Sequence, residues 1–231
     1  MAIEFAIITG ASSGIGRAAA IELARRGVSV ALLGRRRDAL AEVKSLCPGS
    51  SVWEIELNSP PEIAALVTEL RSIAPAGSVG LVNAAGVAQF EDFEKGEPAH
   101  QIETNLTAPL NLIREILPWL LSNGTGHRVI SVSSIAAVHA FPGAATYSAT
   151  KAGLLAASKC LNAEFRSRGI HFTTIIAGAT DTALWDDKHF VPKREDMLRP
   201  EAVGELIADL LLAPPDRAID EVTIMPPKGI L

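Results

Sequence analysis

Cysteine is scarce in this sequence, which holds only Cys47 and Cys160 among its 231 residues. Two widely separated cysteines do not make the disulfide framework of a small secreted protein, and they lack the CxxC spacing of a metal or redox site. The five histidines are also scattered without metal-ligand spacing, so we expect no metal site. This composition predicts a protein of the reducing cytoplasm.

Long uncharged apolar runs and clusters of basic residues are missing as well. No apolar stretch reaches the roughly 18 residues of a membrane-spanning helix, and the first six residues contain Glu4 but no basic group. We therefore expect a protein that is neither exported nor inserted in a membrane. Lys and Arg number 21 against 26 Asp and Glu, with no run of five basic residues, which argues against nucleic acid or an anionic membrane as a partner.

Apolar residues are abundant and make up 48% of the chain, against 20% charged residues. This content suffices for a large core and predicts one domain over residues 1–231. Short apolar runs alternate with longer helical patterns, which predicts an α/β fold with a doubly wound parallel seven-stranded sheet and helices on both faces. The predicted strands are Ile3–Thr9, Val28–Leu33, Ser51–Glu56, Gly80–Asn83, Arg128–Ser133, Ile170–Ile176 and Glu221–Met225. The predicted helices cover 14–26, 36–46, 60–73, 98–122, 145–168 and 200–213.

A glycine-rich loop follows the first predicted strand and opens the first helix. Gly10 allows the chain to turn, Gly14 allows the backbone to approach a pyrophosphate, and Gly16 allows close packing of helix on strand. The spacing is GxxxGxG and not the commonest GxGxxG, so a purely structural connector remains an alternative. The predicted cofactor-binding residues of this loop are Gly10, Ser12, Ser13, Gly14, Ile15 and Gly16.

The residues at the end of the second predicted strand indicate whether a dinucleotide site selects NAD or NADP. An NAD-selective site places Asp or Glu there to bind the ribose 2′-hydroxyl, but this sequence reads Gly34, Arg35, Arg36, Arg37. A guanidinium group matches a phosphate, so Arg35 with Arg36 as helper predicts NADP(H). A solvated basic turn is the alternative reading.

Four polar residues are predicted to meet in one cleft at the carboxyl edge of the sheet. Tyr147, the only tyrosine, and Lys151 lie four residues apart on one helix face, Ser134 follows the fifth strand, and Asn105 lies in the long helix. A nearby ammonium group favours the phenolate form of tyrosine. Tyr147 can then act as the acid or base of a hydride transfer, while Ser134 holds the substrate oxygen.

Together these residues resemble the short-chain dehydrogenase/reductase family, through TGASSGIG at 9–16, NAAG at 83–86, Asn105, Ser134 and YSATK at 147–151. The resemblance covers nearly the whole chain and implies a Rossmann-type sheet and an Asn-Ser-Tyr-Lys tetrad. It implies that Asn105 serves a water-mediated proton relay and that Lys151 also binds the nicotinamide ribose. Further cofactor contacts that it implies are Asn83, Ala84, Gly86, Tyr147, Lys151, Gly178, Thr180 and Thr182.

Two positions depart from the family pattern. The usual NNAG reads Asn83, Ala84, Ala85, Gly86, and Ala177 stands where the family has the proline of a Pro-Gly pair. We expect Asn83 to hold its loop through hydrogen bonds to the backbone, and Gly86 to let the chain pass close to the cofactor.

Substrate contacts are predicted at Ser134, His139, Tyr147 and Trp185. Residues 183–199 mix apolar and charged side chains, which predicts a substrate lid with an apolar underside and favours a small or medium hydrophobic carbonyl compound. Residues 105–121 of the long predicted helix project apolar side chains in too many directions to be covered by one sheet, so we expect a homodimer or homotetramer.

The function predicted from the sequence is an NADP(H)-dependent oxidoreductase that interconverts carbonyl and alcohol groups. Two alternatives stay open. One is a 3-oxoacyl thioester reductase of fatty-acid synthesis, which shares every catalytic feature but needs a basic docking patch for an acidic carrier. The other is a non-catalytic Rossmann module that senses nicotinamide nucleotides.

Overall fold

The computed structural model of the chain describes residues 3–186 and 191–231. Strands and helices alternate along most of this length, as the apolar pattern predicts. The strands are β1 (Phe5–Thr9), β2 (Ser29–Gly34), β3 (Ser51–Glu54), β4 (Val79–Asn83), β5 (His127–Ser134), β6 (Ile170–Ala177) and β7 (Glu221–Ile224). The helices are α1 (Gly14–Arg25), α2 (Arg37–Leu46), α3 (Pro60–Ile73), α4 (Pro98–Ile102), α5 (Ala108–Ser122), α6 (Ala145–Phe165) and α7 (Pro200–Leu211).

All seven strands join one parallel sheet in the order β3-β2-β1-β4-β5-β6-β7. The sequence prediction of a doubly wound seven-stranded sheet is confirmed. The strand order changes direction between β1 and β4, and ligands of such sheets bind at the carboxyl ends of the strands beside this switch point. β1 and β4 are paired from Phe5 with Val79 to Thr9 with Asn83, so their ends lie side by side.

Two apolar layers cover the sheet, one on each face. Alternate residues of β1 show the division, since Ala6 and Ile8 belong to one cluster and Phe5 and Ile7 to the other. Helices α1, α2 and α7 pack on the first face, and α3, α5 and α6 on the second. Because both faces are covered, β1 and β4 are buried along their whole length and show no alternation between apolar and polar residues.

The predicted helix at 98–122 is confirmed in extent, but it is not a regular α-helix throughout. The chain forms the short helix α4, then a π-helical turn over Glu103–Thr107, and then α5. Asn105 lies in that turn, where its side chain bonds the backbone of Val87. A π turn widens a helix locally and is common at functional sites, and apolar periodicity does not reveal it because the helix axis continues through it.

The predicted helix at 145–168 also ends early. α6 stops at Phe165, a 3₁₀ turn follows over Arg166–Arg168, and Gly169 reverses the chain with φ of +83°. Within the described ranges, no helix is both long and apolar enough to cross a bilayer.

Candidate active site

The glycine loop between β1 and α1 has the tight geometry that its sequence predicts. Gly10 has φ of +67°, and a Cβ atom there would lie 2.9 Å from the backbone of Ala85. A Cβ atom on Gly16 would lie 2.4 Å from the Gly10 carbonyl oxygen, far inside van der Waals contact. Gly14, with φ of +54°, leaves a space that a Cβ atom would fill at 3.0 Å from the Thr182 methyl group. The loop therefore excludes side chains at all three glycines.

The first turn of α1 offers backbone donors to an anion. Ser13 precedes the helix in an extended conformation, and within the described residues its side chain makes no capping hydrogen bond. The backbone N–H groups at this end of α1 can therefore donate hydrogen bonds to a phosphate. The positive end of the helix dipole favours the same anion. Arg36 Nη2 donates to Ser12 Oγ at 3.2 Å, which brings a guanidinium group over the same loop. This donor set fits the phosphates of a dinucleotide.

Arg35 lies at the carboxyl end of β2, as predicted, but beside an acidic group. Its Nη1 atom is 3.8 Å from Glu56 Oε2, and both side chains are exposed. Exposed ion pairs at this distance are weak. Arg35 therefore stays available to a phosphate group.

The loop after β4 is held by Thr9 and not by Asn83. The backbone N–H groups of Ala84 and Ala85 both donate to Thr9 Oγ1 at 3.1 Å. Asn83 is buried, and its Nδ2 atom has no hydrogen-bond partner among the residues that the structure describes. The expectation that Asn83 holds this loop is therefore wrong. Its buried donor is an orphaned polar atom at the cofactor edge of the sheet.

Tyr147 and Lys151 lie one turn apart on α6, and both side chains are buried. Lys151 Nζ lies 5.8 Å from the centre of the Tyr147 ring and donates to the Val132 carbonyl oxygen at 3.0 Å. Ser133 Oγ ties this helix to β5 by donating to the Lys151 carbonyl oxygen at 3.0 Å. Ser134, at the end of β5, accepts from the Ala136 N–H group at 3.1 Å, so its own hydroxyl proton can be donated elsewhere.

Burial controls the ionisation of this pair in the protein alone. It raises the pKa of the Tyr147 phenol, while the Ser134 hydroxyl works in the lowering direction. It lowers the pKa of Lys151 to about 8. Each shift favours the neutral form, because a buried charge loses its hydration. The sequence prediction that Lys151 favours the phenolate together with the positive ring of an oxidised nicotinamide therefore depends on that second charge.

Asn105 is fixed in position by its own hydrogen bonds. Its Oδ1 atom accepts from the Val87 N–H group at 2.8 Å, and its Nδ2 atom donates to the Val87 carbonyl oxygen at 2.7 Å and to Thr150 Oγ1 at 3.3 Å. A Cβ atom on Gly86 would lie 3.2 Å from Asn105 Oδ1 and 3.5 Å from Lys151 Nζ. Asn105, Gly86 and Lys151 thus meet at one point of the cleft.

The segment after β6, which begins at Ala177, is held by hydrogen bonds to its neighbours. Leu198 donates its N–H group to the Ala179 carbonyl oxygen, and Asp181 donates to the Leu198 carbonyl oxygen, each at 2.9 Å. The side chain of Thr180 donates to the Gly178 carbonyl oxygen at 3.0 Å. Tertiary hydrogen bonds therefore fix the residues that lead to Thr182.

Arg194 joins the two ends of the predicted lid. Its Nη1 atom donates to Asp181 Oδ1 at 2.5 Å and to the Thr182 carbonyl oxygen at 3.1 Å, and its Nη2 atom donates to Asp186 Oδ1 at 2.7 Å. These contacts hold residues 181–186 beside the glycine loop. Lys188, His189 and Phe190 of the predicted lid lie outside the described residues.

Aromatic rings surround the Tyr147 phenol. The Phe90 ring lies edge-on to the Tyr147 ring, with centroids 5.5 Å apart, and stacks on Trp185 at 5.7 Å. Ala88, Ala136, Phe141 and Leu184 complete the apolar cluster. His139, predicted as a substrate contact, is exposed and packs against Phe141 at 4.9 Å between ring centroids.

Sequence reasoning missed several residues of this site. Thr9 was read only as the start of the glycine motif, and Phe90, Thr150 and Arg194 were given no role. Gln101 was missed too, although it precedes Asn105 by four residues and so shares its helix face. That spacing is the one local signal that identifies it.

Comparison with known proteins identifies the family and agrees with the fold. The model of the short chain dehydrogenase family matches residues 4–190. An uncharacterized oxidoreductase of Staphylococcus haemolyticus is 33% identical over 227 residues, which cover 96% of each chain. The glycine betaine reductase of Emericella nidulans is 32% identical over 239 residues, which cover 96% of this chain but 19% of that protein. An alcohol dehydrogenase from the archaeon Thermococcus sibiricus, solved with 5-hydroxy-NADP, superposes with a TM-score of 0.87 at 24% identity over 99% of each chain.

Proposed function

The chain belongs to the short-chain dehydrogenase family, and on this premise we propose that it is an NADP(H)-dependent oxidoreductase that interconverts a carbonyl compound and the corresponding alcohol. One observation carries the proposal. Tyr147, Lys151, Ser134 and Asn105 come from α6, β5 and the π turn, yet they meet at the carboxyl edge of the sheet beside the glycine loop.

Each of these side chains has a part in the reaction. The bound nicotinamide supplies the hydride for reduction and accepts it in oxidation. Ser134 donates a hydrogen bond to the substrate oxygen, because its Oγ atom already accepts from Ala136 and keeps a free proton. Tyr147 gives its phenolic proton to that oxygen as the carbonyl carbon gains the hydride, and in oxidation it takes the proton back.

Lys151 and Asn105 support the proton transfer. The Lys151 ammonium group stabilises the phenolate that Tyr147 becomes after giving up its proton, and the positive ring of the oxidised cofactor acts in the same direction. Asn105 lies next to Gly86 and Lys151, where it can hold the water that returns a proton through Lys151. The burial of Tyr147 keeps bulk water from competing with the substrate.

NADP(H) is the cofactor that we propose, with Arg35 and Arg36 as ligands of the 2′-phosphate. Both side chains are exposed at the end of β2, and Arg36 reaches Ser12 of the glycine loop. Glu56 near Arg35 weakens this electrostatic preference without cancelling it, since Arg36, which contacts Ser12, adds a second guanidinium group. Gly10, Ser13, Gly14, Ile15 and Gly16 are the proposed pyrophosphate contacts. The proposed nicotinamide contacts are Asn83, Ala84, Gly86, Gly178, Thr180 and Thr182.

We propose residues 183–199 as a substrate lid. Trp185 stacks on Phe90 over Tyr147, and its Nε1 atom donates to the Thr180 carbonyl oxygen at 3.1 Å. A lid that closes over this apolar cluster excludes water from the hydride transfer. The cluster suits a small or medium hydrophobic carbonyl compound.

We also propose that the chain forms a homodimer or homotetramer. Ile102 is 40% exposed, and Leu106 and Leu110 follow it at intervals of four residues with part of their surface uncovered. This spacing makes a continuous apolar stripe across α4, the π turn and α5. Multi-angle light scattering of the purified protein distinguishes a dimer or tetramer from a monomer.

The proposed function is tested by an activity panel. Ketones, aldehydes and 3-oxoacyl thioesters are each assayed with NADPH and with NADH, and cofactor binding is measured in parallel. We expect turnover of hydrophobic ketones or aldehydes with a preference for NADPH.

Other outcomes identify the alternatives. Thioesters turned over at least tenfold better than free ketones would identify the 3-oxoacyl reductase. Tight NADPH binding without turnover of any carbonyl compound would identify the non-catalytic nucleotide-binding module.

A further inference from the structure

The chain between β4 and α4 passes the catalytic cleft along the helix that carries Asn105. The side-chain amides of Asn105 and Gln101, both in that helix, hold this stretch of chain by hydrogen bonds. Asn105 bonds both the N–H group and the carbonyl oxygen of Val87. One turn earlier, Gln101 repeats the pattern with Gln89: its Oε1 atom accepts from the Gln89 N–H group at 3.0 Å, and its Nε2 atom lies 3.5 Å from the Gln89 carbonyl oxygen.

A third contact continues this spacing. The Glu91 N–H group donates to the Gly143 carbonyl oxygen at 3.0 Å. The backbone is thus anchored at every second residue, at 87, 89 and 91, as in an extended chain. The side chains of Ala88 and Phe90, which lie between the anchors, both join the apolar cluster around Tyr147.

Phe90 is the largest side chain that this segment adds to the cluster. Its ring makes a T-shaped contact with the ring of the catalytic Tyr147 and stacks on the ring of the lid residue Trp185. Phe90 therefore occupies part of the space beside the Tyr147 phenol. Aromatic rings in this position favour a planar apolar group.

Among the described residues, the side chain of Gln101 makes hydrogen bonds only to Gln89. It is only 2% exposed, and burial of a side-chain amide is costly unless its hydrogen bonds are made. Its contacts go to the backbone of Gln89, which is adjacent to Phe90. The buried amide of Gln101 therefore fixes Gln89, the residue that precedes Phe90. Gln89 and Gln101 are the only two glutamines of the sequence.

We propose that Gln101 is a positioning residue for substrate selection, which holds Phe90 against Tyr147 and Trp185 so that the site prefers flat apolar carbonyl groups of limited width. This inference rests on the proposed carbonyl–alcohol function and adds its substrate class and a residue that determines it. Gln101 acts through the backbone of Gln89 and does not touch the reacting atoms.

The test compares two aryl methyl ketones that differ in ring size, acetophenone and acetonaphthone. Both kcat/KM with NADPH and binding to the NADPH complex, by saturation-transfer NMR, are measured for wild type, Phe90→Ala and Gln101→Met. We expect wild type to prefer acetophenone. Phe90→Ala should raise the acetonaphthone-to-acetophenone ratio by about tenfold or more, the scale on which pocket size discriminates.

Gln101→Met keeps the length of the side chain and removes its hydrogen bonds. We expect it to raise the same ratio by a smaller factor, through KM more than through kcat, with NADPH affinity unchanged. Gln101→Glu, which keeps an acceptor for the Gln89 N–H group, should restore the wild-type ratio. Phe93→Ala is the matched control, because Phe93 is 74% exposed, and it should leave the ratio unchanged.

Two results would overturn the inference. One is a ratio that Gln101→Met leaves at the wild-type value while it lowers thermal stability, which would make Gln101 merely structural. The other is a wild-type NADPH complex that binds neither aryl ketone. A complex that binds acetophenone but never reduces it contradicts the proposed function alone, and the binding ratio still tests Gln101.

Discussion

The ammonium group of Lys151 lies 5.8 Å from the centre of the Tyr147 ring, and burial shifts the pKa values of the two groups in opposite directions. The phenol is held neutral because its pKa is raised, and the ammonium group loses its proton more readily because its pKa falls to about 8. The positive ring of an oxidised nicotinamide cofactor, if bound beside this pair, would favour the phenolate. The protein without cofactor therefore favours the protonated Tyr147 phenol, which can donate a proton. Formation of the phenolate needs the bound cofactor as well.

The depressed pKa of Lys151 predicts how stability depends on pH. The folded pKa is about 8 and the ordinary value is 10.5, so between these values the unfolded chain holds a proton that the folded chain has released. Stability conferred by this group therefore rises with pH over that window, and the full cost of burying the charge applies below it. We expect the free energy of unfolding of wild type, relative to Lys151→Met, to increase from pH 8 to pH 10. Urea denaturation measures it.

The control for this pH dependence is Lys159→Met. Lys159 is exposed and pairs with Glu221 at 2.8 Å, so its removal should give a curve parallel to wild type. If the stability of Lys151→Met also changes with pH in parallel with that of wild type, Lys151 is hydrated in solution.

Removal of the Tyr147 hydroxyl separates chemistry from binding. Tyr147→Phe keeps the ring that packs on Phe90 but has no proton to transfer, so kcat should fall by about 10²–10⁴. NADPH affinity, measured by fluorescence titration, should stay within a few fold of wild type. Phe141→Leu, a change in the same apolar cluster, is the control and should lower kcat far less. Undiminished turnover by Tyr147→Phe would exclude the acid/base role.

Arg35→Asp should erase or reverse the preference for NADPH over NADH. A charge-assisted hydrogen bond to the 2′-phosphate contributes about 1.5–3 kcal/mol, and an aspartate there repels the phosphate and accepts from a ribose hydroxyl. Dissociation constants for both cofactors at low and high salt measure the change. Arg71→Asp, with the same charge change at the exposed end of α3, should leave the ratio of the two constants unaltered. Equal affinity of wild type for NADH and NADPH would contradict the assignment.

The proposed lid predicts protection from protease. Saturating NADPH should slow tryptic cleavage after Lys193, because Arg194 bonds the Thr182 carbonyl oxygen and ordering of Thr182 by the cofactor also orders the lid. Cleavage after Lys95, which is exposed on a separate 3₁₀ turn, provides the internal reference. Mass spectrometry of timed digests gives both rates. A cofactor that slows both cleavages equally, or neither, would contradict lid closure.

Part of this site is local in sequence and is readable from it. The spacing of Gly10, Gly14 and Gly16 indicates a turn between a strand and a helix, because Gly10 and Gly16 lie against backbone and Gly14 has a positive φ. The interval from Tyr147 to Lys151 places both on one helix face. The family resemblance then assembles these pieces, and the comparisons confirm the family.

Other features depend on contacts between distant segments. The helix predicted at 98–122 contains a π turn at Asn105, and the Asn105 side chain bonds Val87 across 18 residues. Apolar periodicity carries no record of that bond. Thr9 takes over the task expected of Asn83 because β1 and β4 are paired side by side. A sequence motif identifies the residues of a loop. It does not show which neighbouring strand provides their hydrogen-bond partners.

The sequence by itself determined the alternation of strands and helices, the position of the glycine loop and the identity of the four polar residues, since these follow from local spacing and hydrophobic burial. Only the tertiary structure decided the shape of the cleft. Phe90, Gln101 and Trp185 come from three separate segments, and their stacking and hydrogen bonds exist only once the folded sheet has brought those segments together.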